Sequence, residues 1–136
     1  MENMIPENKV AHICIASVRK QDEDSKMGFG AEVWTPGSEG RNLVRVYSLY
    51  RADVTRRAAL IEVLEQVLTE IDEDGIKLII VRGTMPQLLR KTELERKLGL
   101  YCRAGLVFSK IVRMPEDCVQ LAVDALNRKQ DVITNI

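Results

Sequence analysis

The 136-residue chain has no net charge, because twenty basic and twenty acidic side chains cancel. Small nucleic-acid-binding domains often carry a basic excess, so any such contact here has to come from a local patch. Long apolar runs are missing too. Nothing approaches the roughly 20 residues that a membrane-spanning helix needs, and the polar start with Glu2, Pro6 and Glu7 reads as neither signal peptide nor anchor. Cys14, Cys102 and Cys118 are odd in number and far apart, which fits neither a disulfide framework nor a zinc knuckle. Reduced thiols in an intracellular protein, cytoplasmic or nuclear, are the expectation. There is no Gly-rich phosphate loop, zinc spacing, nucleophile elbow or kinase signature. The single histidine, His12, has no Cys, Ser or Asp partner at a recognisable spacing, so it reads as a satisfied structural residue rather than a general base.

What is present suits one globular domain, with 46% hydrophobic and 29% charged residues. The expected limits are a tail over 1–9, a domain over 10–128 and a second tail over 129–136. Residues 10–18 (VAHICIASV) are apolar enough for a strand buried on both faces. A polar loop around Asp22-Glu23-Asp24 leads to a second strand ending near Trp34, and Pro36-Gly37-Ser38-Glu39-Gly40 marks a turn. In the third strand, Leu43 to Ser48, Val44 and Val46 alternate with Arg45 and Tyr47, as on a half-exposed outer strand. From Asp53 the period changes to three or four residues, with Val54, Ala58, Ile61, Leu64, Leu68 and Ile71 on one helical face. Asp53 or Thr55 can cap that helix, and Gly75 follows its last turn. Lys77 to Val81 reads as a buried parallel strand, a helix from Pro86 runs to Leu98, Leu106 to Val112 is a fifth strand, and Pro115 opens a last helix. The predicted class is α/β, a five-stranded mixed sheet in the order β-β-β-α-β-α-β-α with helices on its faces.

Three stretches resemble the ribonuclease H-like superfamily. Ile15-Ala16-Ser17 followed by Gly28-Phe29-Gly30-Ala31 resembles its opening "D-G/A-S … G-x-G-A". Thr55-Arg56-Arg57-Ala58-Ala59-Leu60 is similar to the start of its first helix, "T-N-N-x-A-E". Gln120-Leu121-Ala122-Val123-Asp124-Ala125-Leu126 resembles the "N-x-x-A-D-x-L" of its last helix. The resemblance spans residues 10–128 and implies a fold whose nucleases hold two divalent metals with four carboxylates. On this chain it places Ile15, Leu60 and the Gly83 region where three of those acids are expected, leaving Asp124 as the one match. Asp124 also falls with Asp117, Gln120 and Arg128 on a helical surface, which reads equally as a solvated face.

The resemblance therefore implies a catalytically inactive domain without metal or cofactor, acting as a binding module for RNA, an RNA–DNA hybrid or a protein partner in a nucleic-acid-processing assembly. Its basic candidates for phosphate contact are Arg51, Arg56 and Arg57 at the first helix and Arg90, Lys91, Arg96 and Lys97 on the second. Glu93 and Glu95 interleave with the latter group, as on an ordinary salt-bridged surface. One rival is an active Mg²⁺-dependent nuclease using acids from Glu32, Glu62 or Asp124. Glu62 lies two residues from Leu60, about 200° round a helix, and substitutes for it poorly. The other rival is a structural homo-oligomer paired through an open sheet edge. Glu70, Asp72, Glu73 and Asp74, at a helix C-terminus where the dipole disfavours them, read as a solvent-facing end or a docking patch for a basic partner.

Overall fold

The computed structural model describes residues 9–20, 23–37, 40–84, 91–99 and 103–136. Its elements are β1 (Val10–Lys20), β2 (Glu23–Gly37), β3 (Gly40–Arg51), α1 (Arg56–Asp72), β4 (Leu78–Gly83), α2 (Lys91–Leu98), β5 (Gly105–Lys110), α3 (Glu116–Arg128) and β6 (Val132–Asn135). The expected start of α2 at Pro86, with Leu88 and Leu89, lies outside the described residues.

The strands form one mixed sheet in the order β5-β4-β1-β2-β3-β6. β1 lies between antiparallel β2 and parallel β4, which accounts for its nearly continuous apolar sequence. The strand count is six rather than five. Residues 132–135, expected as tail, pair antiparallel with β3, from Arg45 opposite Asn135 to Ser48 opposite Val132. The segment is too short and too polar at its flanks to announce itself. It is held by the Asp131 carboxylate, which accepts from the Tyr50 backbone N–H at 2.8 Å and pairs with Arg51 at 3.1 Å.

Strand alternation divides the side chains between two layers. On one face Ile13, Ile15, Phe29, Ala31, Tyr47, Leu49, Ile79 and Val81 form the main core with α1 and with Leu94 and Leu98 of α2. The buried stripe of α1 runs through Ala59, Leu60, Val63, Leu64, Val67, Leu68 and Ile71. It is broader than the predicted stripe and rotated from it, so Ala58 is exposed. Thr55 caps the helix, its hydroxyl accepting from the Ala58 N–H at 3.1 Å. The phase expected for β3 is reversed: Tyr47 is fully buried, while Val44 and Val46 are only partly so. The core accepts Tyr47 because its hydroxyl donates to Glu70 at 2.6 Å and accepts from Arg45 at 3.3 Å.

On the other face α3 lies across β1, β2 and β3 with small residues inward, Cys118, Ala122 and Ala125. A Cβ at Gly28 would stand 1.9 Å from the Ala122 carbonyl oxygen, and one at Gly30 would stand 1.9 Å from that of Cys118. The Gly-x-Gly of β2 thus serves close approach of helix and sheet backbones rather than a turn.

Candidate functional site

β1, β3 and β4 all run in the same direction, and the loop after β3 leads directly into α1. The C-terminal halves of β1 and β4 therefore meet the first turns of α1 at one end of the domain. Ile15 is fully buried opposite Ala31. Cys14 pairs with Arg82, so Gly83, also buried, follows alongside Ile15. Leu60 reaches the same packed cluster from α1. The three positions singled out in the sequence are thus on adjoining elements around one core.

Asp124 is not with them. It is exposed on α3, across the sheet, where its carboxylate accepts from the Gln120 side-chain amide at 2.9 Å. The alternative acids do not converge either. Glu62 pairs with Arg51 at 2.8 Å on the α1 side, whereas Glu32 is buried on the α3 side with the Cys118 thiol 3.8 Å away. Among the described residues no group of three or more His, Cys, Asp or Glu could hold a metal ion. Ile15, Leu60 and Gly83 offer no side-chain oxygen, so the residues present at this end do not fit a pair of divalent cations.

The basic candidates separate by their partners. Arg51 is held by Glu62, by Asp131 and by the Gln66 side-chain carbonyl. Arg57 and Lys97 converge on Glu93 across the α1–α2 junction. There a groove of about 440 Å³ is lined by Thr55, Arg57, Ala58, Ile61, Glu62 and Lys97 among others. Arg96 is exposed. Arg90 and the side chain of Lys91 lie outside the described residues. The Nε atoms of Arg51 and Arg56 are both buried without a hydrogen-bond partner, but Arg51 has its ion pairs with Glu62 and Asp131, whereas Arg56 has no carboxylate partner among the described residues. Burial, and then the charge of Arg19, lower the pKa of its guanidinium. The sequence reading passed over Arg19 because β1 was expected to end at Val18; the strand runs to Lys20 and carries Arg19 to this end.

Three further groups find partners within the fold. The acidic end of α1 is taken up within the fold: Glu70 binds Tyr47, Asp74 meets Arg45 at 3.4 Å, and Asp72 accepts from the backbone N–H and the Nε of Arg103. Those bonds, the backbone N–H of Arg103 first, lower the Asp72 pKa. His12 is buried, its ring stacked on Trp34 at 4.0 Å and its Nδ1 accepting from Arg82. Burial and then the Arg82 charge lower its pKa, as suits a neutral structural imidazole. Cys14 and Cys118 are free and buried, and burial is the main cause that raises both thiol pKa values.

No protein-family model and no curated protein matches the chain. Solved structures do. The ribonuclease H1 of the halophilic archaeon Halobacterium salinarum superposes with a TM-score of 0.59 at 17% identity, covering 88% of this chain and 98% of that one. The N-terminal ribonuclease H domain of a Mycobacterium tuberculosis protein, solved as a fusion with maltose-binding protein, gives 0.60 at 16% identity over 86% and 98%. A foamy viral protease-reverse transcriptase structure in complex with double-stranded DNA gives 0.54 at 11% identity over 92% and 99%. The chain has the ribonuclease H-like fold that the resemblance implied, with β1 central as its apolar run predicted and six strands rather than five. No helix among the described residues is long and apolar enough to cross a membrane.

Proposed function

We propose that this chain is a catalytically inactive ribonuclease H-like domain that binds nucleic acid, or a protein partner, within an intracellular nucleic-acid-processing assembly in the cytoplasm or nucleus. The observation that carries the reading is the packing of Ile15 and Leu60 into one buried apolar cluster where the family's carboxylates would converge. A site of that kind needs oxygen ligands and room for ions and water. Apolar side chains packed at interior density supply neither. The domain therefore keeps the scaffold without the metal chemistry, and what is left for this end is binding.

Nucleic acid is the preferred partner because structures sharing this fold are ribonucleases H and a reverse transcriptase held with double-stranded DNA. A protein partner has its own support in Val132, Ile133 and Ile136, which are exposed at the β6 edge. Incubation of the chain with a labelled RNA–DNA hybrid in Mg²⁺ or Mn²⁺ tests inactivity. The expected result is an intact hybrid, and cleavage abolished by Asp124→Asn would overturn it. Affinity for hybrid, duplex and single-stranded RNA across salt tests binding. No detectable association with any of them would leave protein docking at the β6 edge as the role.

A further inference from the structure

One step outward from Ile15 and Leu60, the same end of the domain carries two guanidiniums, Arg19 and Arg56, that have no carboxylate partner among the described residues. Arg19 lies four residues beyond Ile15 on β1, and strand alternation keeps both on the α1 side of the sheet. Arg56 lies four residues before Leu60, one turn up the same face of α1. The row Arg19–Met27–Arg51 crosses β1, β2 and β3 in register, and α1 opens shortly after Arg51. The other cation of this row, Arg51, is neutralised by Glu62 and Asp131. Arg19 and Arg56 have no carboxylate partner among the described residues, and the first turn of α1 carries no acid. Arg56 is partly buried with its Nε lacking an acceptor.

The charge of Arg19 disfavours the protonated form of Arg56, so the two cations act on one another. Like charges held together at a partly desolvated place raise the free energy of the fold unless an anion lies between them. Guanidinium groups present planar forks of N–H donors that match phosphate oxygens, and the resulting charge-assisted bonds are among the strongest a protein makes.

We propose that Arg19 and Arg56 form a metal-independent clamp for one phosphodiester of a bound nucleic-acid backbone, seated over the apolar plug of Ile15 and Leu60. The inference rests on the nucleic-acid reading above and adds to it the place and chemistry of the contact. Arg51, Arg57 and Lys97, tied up by carboxylates, contribute less.

The test is fluorescence anisotropy with a labelled RNA–DNA hybrid and a labelled single strand, in EDTA, over a series of salt concentrations. Binding should persist without divalent metal. Arg19→Ala and Arg56→Ala should each weaken it roughly tenfold, as expected for losing charged hydrogen bonds. Each should also lower the slope of log affinity against log salt by up to about one unit. Arg19→Lys and Arg56→Lys, which keep charge but lose the fork, should lie between. Lys77→Ala, exposed just before β4 at the opposite end of the sheet, should change little. Circular dichroism should show all variants folded, since removing one of two repelling cations does not strain the fold. Hybrid binding unaffected by Arg19→Ala and Arg56→Ala overturns this inference and leaves the nucleic-acid reading standing. A wild-type chain that binds neither probe overturns both. Displacement of the probe by inorganic phosphate as readily as by unlabelled oligonucleotide, at constant ionic strength, would assign the clamp to a free anion and overturn the phosphodiester.

Discussion

Placing an acid in the first strand tests whether this end of the domain is core or a latent site. In Ile15→Asp a fully buried aliphatic side chain becomes a carboxyl group with no partner in the surrounding cluster. Loss of the aliphatic packing costs about 2–5 kcal/mol by analogy with other large-to-small core changes. Leaving a buried polar group unsatisfied adds about 1–3 kcal/mol even if the carboxyl folds protonated. Together these reach about 3–8 kcal/mol against a total stability of about 5–15 kcal/mol for an ordinary domain. Burial would raise the carboxyl's folded pKa above its unfolded value of about 3.9. Stability relative to the parent is therefore highest below pH 4 or so and falls as pH rises towards the folded pKa. Urea unfolding followed by the fluorescence of Trp34, the one tryptophan, should give a larger deficit at pH 7 than at pH 4.5. Ile15→Val, as control, should lose only about 0.5–1.5 kcal/mol. The reasoning is refuted if Ile15→Asp unfolds at the same midpoint as Ile15→Val, or if Mg²⁺ selectively stabilises it. Either result would mean a wet, open place with ligands to spare.

Gly30→Ala should cost about 1–3 kcal/mol or more, because its methyl meets the Cys118 carbonyl oxygen at 1.9 Å and backbone cannot yield as a side chain can. Gly37→Ala, with its nearest contact at 3.4 Å, is the comparison, and equal unfolding midpoints for the two would contradict the close approach of α3. His12 has its pKa held below 6.5 by burial and then by Arg82, so its contribution to stability is complete above that value and declines as pH falls through it. His12→Gln should flatten the slope of unfolding midpoint against pH between 8 and 5; an unchanged slope would assign the dependence to other groups. Tyr47→Phe deletes the hydroxyl shared by Glu70 and Arg45. A loss of about 1–2 kcal/mol is expected, and a variant as stable as the parent in urea would show the pair to be solvated.

The succession of elements and the central place of β1 were legible because hydrophobic period is local: a run buried on both faces marks β1, and a change to a period of three or four marks α1. What could not be read depends on pairings remote in sequence. Tyr47 looked outward-facing until Glu70, 23 residues on, and Arg45 supplied its partners. The acidic end of α1 looked like a free patch because Arg103 and Arg45 come from other elements. Arg51 looked available until Asp131, 80 residues later, arrived with β6. Ile15 and Leu60 were recognised from motif position, yet only packing shows them in one cluster. Asp124 matched a motif by spacing alone, and the turn of α3 that buries Cys118, Ala122 and Ala125 carries it to solvent.

The apolar plug and the cation pair above it belong to one electrostatic argument. In a two-metal site the carboxylates hold the ions and the ions neutralise the phosphate, so neither charge is tolerable without the other. Replacing the acids with Ile15 and Leu60 alone would remove the means of holding cations and leave a bound phosphate facing low-dielectric core, a costly arrangement. Under the proposed clamp, the guanidiniums one step outward would supply that positive charge at the solvent boundary, where Arg19 is exposed and its hydration offsets part of the repulsion. On that reading the apolar plug and the cation pair are coupled. In a double-mutant cycle of Leu60→Glu with Arg56→Ala, the acid one turn below should be less destabilising while Arg56 is present, because a guanidinium in reach partly compensates a buried carboxylate. Additive losses would show that plug and clamp are energetically independent, and the link between them would fall.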